Sequence, residues 1–259
     1  MTNEISGKSI LVTRPEKQAN HLCDLIEKLG GKAIRFPVIE IKAIVTSGTL
    51  KERFNTITKY DYVIFVSQNA VSIAFDHYLS HFDVPCKTQF VAIGKSTAKL
   101  LEQYGITHVL YPDKDADSES LLLLPEFTKE KIKDKSILIV RGEGGRELLA
   151  DSLRQRGAYV DYIEVYQRCL PHYDMSEKQK LWQDVSPDAI IITSNEGLKN
   201  LFILTLDKDK EKLLQTPLVV MSARTIAFAK QQGFVSTIIM ADEKSDEGLL
   251  SALIDVIGD

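Results

Sequence analysis

Short runs of β-branched and aromatic residues alternate along this chain with stretches that repeat apolar side chains at three- and four-residue spacing. In the first half the runs predict strands at 9–13, 32–36, 62–67, 89–93 and 107–111. Between them, 15–29, 69–79 and 95–104 carry helical spacing, with Leu22, Leu25, Ile26 and Leu29 marking one apolar face. Gly30, Gly105, Gly157 and Gly233 stand where such helices should stop, as glycines just beyond a helix end do. Ile190-Ile191-Ile192 is continuously apolar, the pattern of a parallel strand buried on both faces. The expected fold class is α/β, with parallel sheets flanked by helices.

The pattern occurs twice. Ser9-Ile10-Leu11-Val12-Thr13-Arg14 returns 127 residues later as Ser136-Ile137-Leu138-Ile139-Val140-Arg141. Asp61-Tyr62-Val63-Ile64-Phe65-Val66-Ser67 returns at the same offset as Asp188-Ala189-Ile190-Ile191-Ile192-Thr193-Ser194. Thr97, Gln103 and Gly105 match Thr225, Gln231 and Gly233, and Ser118 with Leu122-Leu123 matches Ser245 with Leu249-Leu250. Four segments repeated in one order predict two similar lobes, with function expected in the cleft between them. Phe36 to Ile44 and Tyr159 to Leu170 stay extended beyond the second strand of each repeat. They are candidates for paired connections between the lobes, although periodicity alone does not separate exchanged lobes from a simple tandem.

Composition narrows the function classes. The 259 residues are 44% hydrophobic and 26% charged with a net charge of −4, so any anion binding must come from local groups. No Lys/Arg cluster interleaved with aromatics is present, so a nucleic-acid partner is not expected. The opening residues lack a signal-peptide pattern, and no apolar run approaches the length of a membrane span. Cys23, Cys86 and Cys169 are widely spaced, which suits a reducing cytoplasm and argues against a thiolate metal site.

Polar clusters recur just after strands and at the starts of helices: Arg14-Pro15, Ser67-Gln68-Asn69, Gly94-Lys95-Ser96-Thr97, Ser194-Asn195 and Ser222-Ala223-Arg224-Thr225. The sixth, Arg141-Gly142-Glu143-Gly144-Gly145-Arg146, is the strongest, with two guanidinium groups flanking a loop whose glycines admit close backbone approach. Each cluster taken alone can be a helix cap. Together they predict an anion-binding face at the carboxyl ends of parallel strands, where helix N-termini add partial positive charge. GxGxxG and GK[ST] are both absent, so neither a dinucleotide fingerprint nor a P-loop is present. His77 and His81 lie four apart, but without HExxH or a third ligand they read as a solvated helix face. Asp113 to Glu119 reads as an acidic loop entering a helix capped by Ser118. Tyr166 stands on the second extended stretch, either bordering the cleft or as a half-buried strand residue.

Taken in order, Leu11-Val12-Thr13-Arg14-Pro15, Phe36-Pro37-Val38-Ile39-Glu40-Ile41, Ser67-Gln68-Asn69-Ala70-Val71 and Ala92-Ile93-Gly94-Lys95-Ser96-Thr97-Ala98 resemble the uroporphyrinogen-III synthase family. Ser118-Glu119-Ser120-Leu121-Leu122, Arg141-Gly142-Glu143-Gly144-Gly145-Arg146-Glu147 and Val165-Tyr166-Gln167-Arg168 extend the likeness over the full chain. Val66 and Gln68 vary the usual strand-end pattern, and Ser194-Asn195-Glu196-Gly197 matches more loosely. The resemblance implies exchanged lobes: 1–38 plus 171–259 in one and 46–160 in the other. Segments 39–45 and 161–170 would join them as a two-stranded β-ladder. It further implies a cofactor-independent monomer, with room for contact with the enzyme that makes the substrate. That substrate would be hydroxymethylbilane, a linear tetrapyrrole rich in carboxylates, which loses water and closes with its last ring inverted. Tyr166 would be the proton donor, and the six clusters would hold the carboxylates. Two rival readings are a cytoplasmic two-lobe ligand sensor and a nucleotide-dependent transferase. The sensor would usually carry a helix-turn-helix or an appended partner domain, and the transferase an acidic ribose-binding residue; neither is seen.

Overall fold

The computed structural model describes residues 4–45, 48–79, 87–113 and 116–258. His81, Cys86, and Lys114 and Asp115 of the acidic loop lie outside the described residues. The chain opens with β1 (Ser9–Val12), α1 (Glu16–Lys28) and β2 (Lys32–Arg35). Next come β3 (Glu40–Ala43), α2 (Thr49–Phe54), β4 (Tyr62–Phe65), α3 (Gln68–His77), β5 (Gln89–Ala92) and α4 (Lys95–Gln103). They are followed by α5 (Ser118–Leu122), α6 (Lys129–Ile132), β6 (Ser136–Gly142), α7 (Leu148–Gln155) and β7 (Tyr159–Cys169). The remainder forms α8 (Met175–Lys180), β8 (Ala189–Ile192), α9 (Asn195–Leu204), α10 (Lys210–Gln215), β9 (Leu218–Val220), α11 (Ala223–Gln231), β10 (Ile238–Met240) and α12 (Asp246–Ile257). Two compact units result: Met1–Glu40 with Cys169–Asp259, and Ile41–Arg168.

Each sheet draws strands from both repeats. One runs β10-β9-β8-β1-β2 with its paired strands parallel. The other runs β3-β7-β6-β4-β5, with β7, β6, β4 and β5 parallel. Setting β7, β6, β4 and β5 against β2, β1, β8 and β9 gives the same order twice, β3 being an addition at one edge. The exchange is pinned at matching places. The Ser9 amide donates to the Asp188 carboxylate at 2.7 Å, and the Ser136 amide donates to Asp61 at 2.8 Å. In return the amides of Asp188 and Asp61 donate to the carbonyls of Ser9 and Ser136.

Both faces of each sheet are covered, which explains the uninterrupted apolar runs. Leu11, Ile190, Ile192 and Val220 pack with α9 and α11, while Ile10, Val12, Ile191 and Val219 pack with α1 and α12. In the second unit Val63, Phe65, Leu138 and Val140 meet α3 and α4, and Ile64, Ile137 and Ile139 meet α5 and α7. The glycines past α1 and α7 adopt the left-handed backbone expected of a helix stop, with φ of 82° at Gly30 and 94° at Gly157. No helix among the described residues is long and apolar enough to cross a membrane.

Two expected strands are altered. Residues 107–111 make one isolated bridge, Leu110 to Val91, because His108 takes a left-handed φ of 58° that interrupts the extended backbone. The stretch from Phe36 to Ile44 is not continuous: Pro37 lacks a ladder N–H, the chain bends, and β3 resumes at Glu40. Phe36 instead stacks on Tyr173 at 4.3 Å, and Val38 is buried in the same core.

Ile191 is fully buried in β8. Replacing it by alanine should lower unfolding free energy by about 2–5 kcal/mol, read as a lower urea midpoint. The control is Ile203→Ala, at a side chain 55% exposed. Equal midpoints for the two variants would mean that this face does not carry the fold.

Candidate functional site

In both units the expected polar clusters lie where a parallel strand hands over to a helix. Serine side chains cap these helices: Ser67 accepts from the Ala70 amide, Ser194 from Gly197, Ser222 from Thr225 and Ser245 from Gly248. The short helix α5 departs from expectation. Asp117 caps it by accepting from the Ser120 amide at 2.8 Å, and Ser118 is its first residue, because a carboxylate in an extended position reaches the third amide.

In the first unit, Arg14 at the end of β1 is ion-paired with Asp246 at the start of α12, and His21 meets the other oxygen of Asp246 at 3.1 Å. Arg14 is therefore engaged within its own unit. Thr225 is buried with its hydroxyl 2.8 Å from that of Ser222, and Arg224 is exposed. The Asn195 Oδ1 atom is buried with no hydrogen-bond partner among the described residues, at the N-terminus of α9.

The second unit holds the denser arrangement. Gln68 donates to the Ser96 carbonyl at 3.3 Å, joining the starts of α3 and α4. Asn69 is half-buried in the first turn of α3, Gly94 packs against Ala116, Lys95 and Ser96 are exposed, and Thr97 is buried. Across the end of β6, Arg141 is 8% exposed and spent on its own surroundings. Its Nε and one terminal nitrogen donate to Glu164 at 3.2 and 3.0 Å, and the other terminal nitrogen meets Glu147 at 2.9 Å and the Gly145 carbonyl at 3.3 Å. The Tyr162 ring lies beneath, 3.7 Å from the guanidinium carbon, and its hydroxyl donates to Glu147 at 2.5 Å. Burial works against the Arg141 charge, but the bonds to Glu147 and Glu164 outweigh it and raise its pKa above the ordinary arginine value. Arg141 thus ties down the glycine loop, while Arg146 remains exposed with no ion pair or hydrogen bond among the described residues.

Tyr166 is 1% exposed, and a break in strand register puts it there. Between β6 and β7 the pairing runs Arg141 to Glu164 and then Gly142 to Tyr166, skipping Val165. Strict alternation would place Tyr166 on the face of Tyr162 and Glu164; the bulge turns it into the cluster of Ile163 and Val165. There its ring lies on Gly142, where a Cβ would stand 2.4 Å from the tyrosine Cε2. The hydroxyl is 3.1 Å from the Ser67 hydroxyl and accepts a long contact from Arg168 at 3.5 Å.

Glu147, Glu164, Tyr162 and Arg168 were not singled out as functional in the sequence. Nothing local in the sequence showed that Arg141 would be the partner of Tyr162, Glu164 and Glu147, or that Arg168 would lie against Tyr166. Among the described residues, no group of three or more His, Cys, Asp and Glu side chains could hold a metal ion; Cys23 is buried and Cys169 half-buried.

Parallel strands that deliver capped helix N-termini and guanidinium groups to their carboxyl ends define a doubled α/β protein. Residues 20–251 match the family described as uroporphyrinogen-III synthase HemD. The uroporphyrinogen-III synthase of Salmonella typhimurium is 39% identical over 95% of this chain and 99% of its own, and that of Escherichia coli is 36% identical over the same shares. Among solved structures, the Helicobacter pylori uroporphyrinogen-III synthetase aligns with a TM-score of 0.60 at 18% identity, covering 96% of this chain and 99% of that one. A mutant synthase from Thermus thermophilus gives 0.59 at 18% identity over 96% and 98%. The chain belongs to the uroporphyrinogen-III synthase family, as its ordered phrases led us to expect.

Glu147 is held below the ordinary carboxylate range, first by the Tyr162 hydroxyl and then by Arg141. A depressed folded-state value means that this anchoring is complete above about pH 4.3 and is lost as pH falls through the lower folded value. The Tm gap between the parent and Glu147→Gln should therefore be constant near neutrality and shrink in acid. A gap unchanged down to about pH 3 would show that the carboxylate charge does not hold the loop.

Proposed function

We propose that this chain closes hydroxymethylbilane to uroporphyrinogen III, acting as a cyclising lyase that expels water and inverts the last ring. The observation that carries the reading is the Tyr166 hydroxyl, bulge-aimed over Gly142 and bonded to the Ser67 hydroxyl among the anion-accepting strand ends. The names of the relatives support the substrate and product.

The chemistry demands little of the protein beyond geometry and one proton. The Tyr166 phenol gives its proton to the departing hydroxyl, which leaves as water, and the last ring attacks the electron-poor methylene through its already substituted α-carbon. The bond from that carbon to its original methylene bridge then breaks, and the freed methylene re-bonds at the ring's other α-carbon, which turns the ring round. A proton released as that ring regains aromaticity returns to the tyrosinate oxygen, so the cycle balances. Ser67 and Arg168 stabilise the oxygen between the two transfers. Holding a flexible polyanion in the inverting geometry supplies the rest as an entropy trap. Among the residues at the strand ends, Arg146, Lys95 and Arg224 and the amides of the capped helices suit the carboxylates, whereas Arg141 orders the loop that presents them.

Generating hydroxymethylbilane in place, adding the protein and separating the oxidised porphyrins tests the reading. The type III isomer should dominate, and type I alone would refute the synthase reaction. Tyr166→Phe should keep the parent's Tm and lose about 10²–10⁴-fold in kcat. Full turnover in that variant would remove Tyr166 from the acid role.

A further inference from the structure

A cavity of about 300 Å³ opens within the second unit at the carboxyl ends of β4, β5 and β6. Val66, Ile93, Ile139 and Leu149 give it apolar walls, and Arg141, Arg146 and Arg168 bring three guanidinium groups to it. One is unavailable, because Arg141 is taken up by Glu147, Glu164 and the Gly145 carbonyl. Asp117, the acid at the rim, is engaged in capping α5. That leaves two arginines with no carboxylate partner among the described residues: Arg146, and Arg168, whose contacts are the Tyr166 hydroxyl at 3.5 Å and that ring's face at 5.6 Å. In a chain of net charge −4, two unpaired guanidinium groups on one small cavity are a local arrangement and not a consequence of overall charge.

Apolar walls with cations at the rim complement a flat ring that carries carboxylate arms. The volume lies at the lower end of the range for small-molecule sites, so the cavity admits one ring and not a chain of four. We propose that this cavity is a subsite for a single five-membered aromatic ring bearing carboxylate arms. Arg146 grips an arm and determines specificity, and Arg168 links the occupied cavity to the Tyr166 hydroxyl. The proposal rests on the tetrapyrrole reading above and deepens it: the cavity takes one ring of the linear substrate. It also assigns the three arginines different tasks, with Arg141 a positioning residue and Arg146 and Arg168 the substrate contacts.

The test uses the full chain and a monopyrrole carrying one acetate and one propionate arm. Titration followed by NMR should shift the methyl resonances of Ile139 and Leu149. Arg146→Gln, at an exposed position that leaves the fold intact, should weaken binding about tenfold, as loss of one charged hydrogen bond does, and Arg146→Lys should recover part of it. In the isomer assay Arg146→Gln should raise KM about tenfold and lower kcat far less. Absence of shifts at these methyls, or equal affinity in the parent and Arg146→Gln, overturns the subsite. Type III product formed by Arg146→Gln with an unchanged KM overturns it too and leaves the synthase reading standing. Arg146-dependent pyrrole binding in a protein that makes no type III isomer upholds the subsite and removes the synthase reading.

Discussion

Two aspartates at the feet of β4 and β8 hold the structure's central pairing. Each carboxylate accepts the first strand amide of its neighbour from the other repeat, Asp61 from Ser136 and Asp188 from Ser9, and each aspartate amide returns a bond to that serine's carbonyl. These junctions fix the register of β1 against β8 and of β6 against β4, because register is set where a strand begins and a one-residue slip would turn its core face outward. With β1 locked beside β8, and β4 beside β6, neither repeat completes a sheet from its own strands. The apolar runs then lie between two layers of helices, and the carboxyl ends of each sheet's strands share one edge. The helix N-termini sit at that edge because the strands are parallel.

The register break at Arg141 and Gly142 shows how such a scaffold makes a specialised place without a specialised motif. One skipped residue sends Tyr162 and Glu164 to one face and Tyr166 to the other. On the first face, the two carboxylates and an aromatic ring immobilise Arg141, so a buried charge is fully compensated. On the second, the missing side chain of Gly142 admits the tyrosine ring against the backbone. The same glycine loop thus answers to a charge on one side and a ring on the other, and its position is overdetermined.

Charge is managed locally throughout. The chain carries a net −4, yet the groups left unpaired at the strand ends of the second unit include Arg146, while Glu147 and Glu164 pair with Arg141 and Asp117 caps α5.

Short-range periodicity made much of this legible in the sequence. The apolar spacing placed β1, α1, β4 and α4 within a few residues, the glycines after α1 and α7 marked their stops, and the serines ahead of α3, α9, α11 and α12 announced caps. These features depend on neighbours within about a turn of helix or along one strand, so the residues that decide them are adjacent in the chain. Residues 107–111 failed as a strand because a single left-handed residue, His108, outweighs four with strand propensity. Asp117 took the place of Ser118 as the cap, its carboxylate being the group that accepts from the Ser120 amide. The tasks of the arginines were not legible at all. Arg141 and Arg146 look alike in their loop, and they differ because Glu164, 23 residues onward, lies beside one and not the other. The sequence by itself determined the elements and their doubling. Tertiary structure decided which strands became neighbours, which charges were neutralised and where Tyr166 points, because those outcomes depend on groups brought together only when the sheets close.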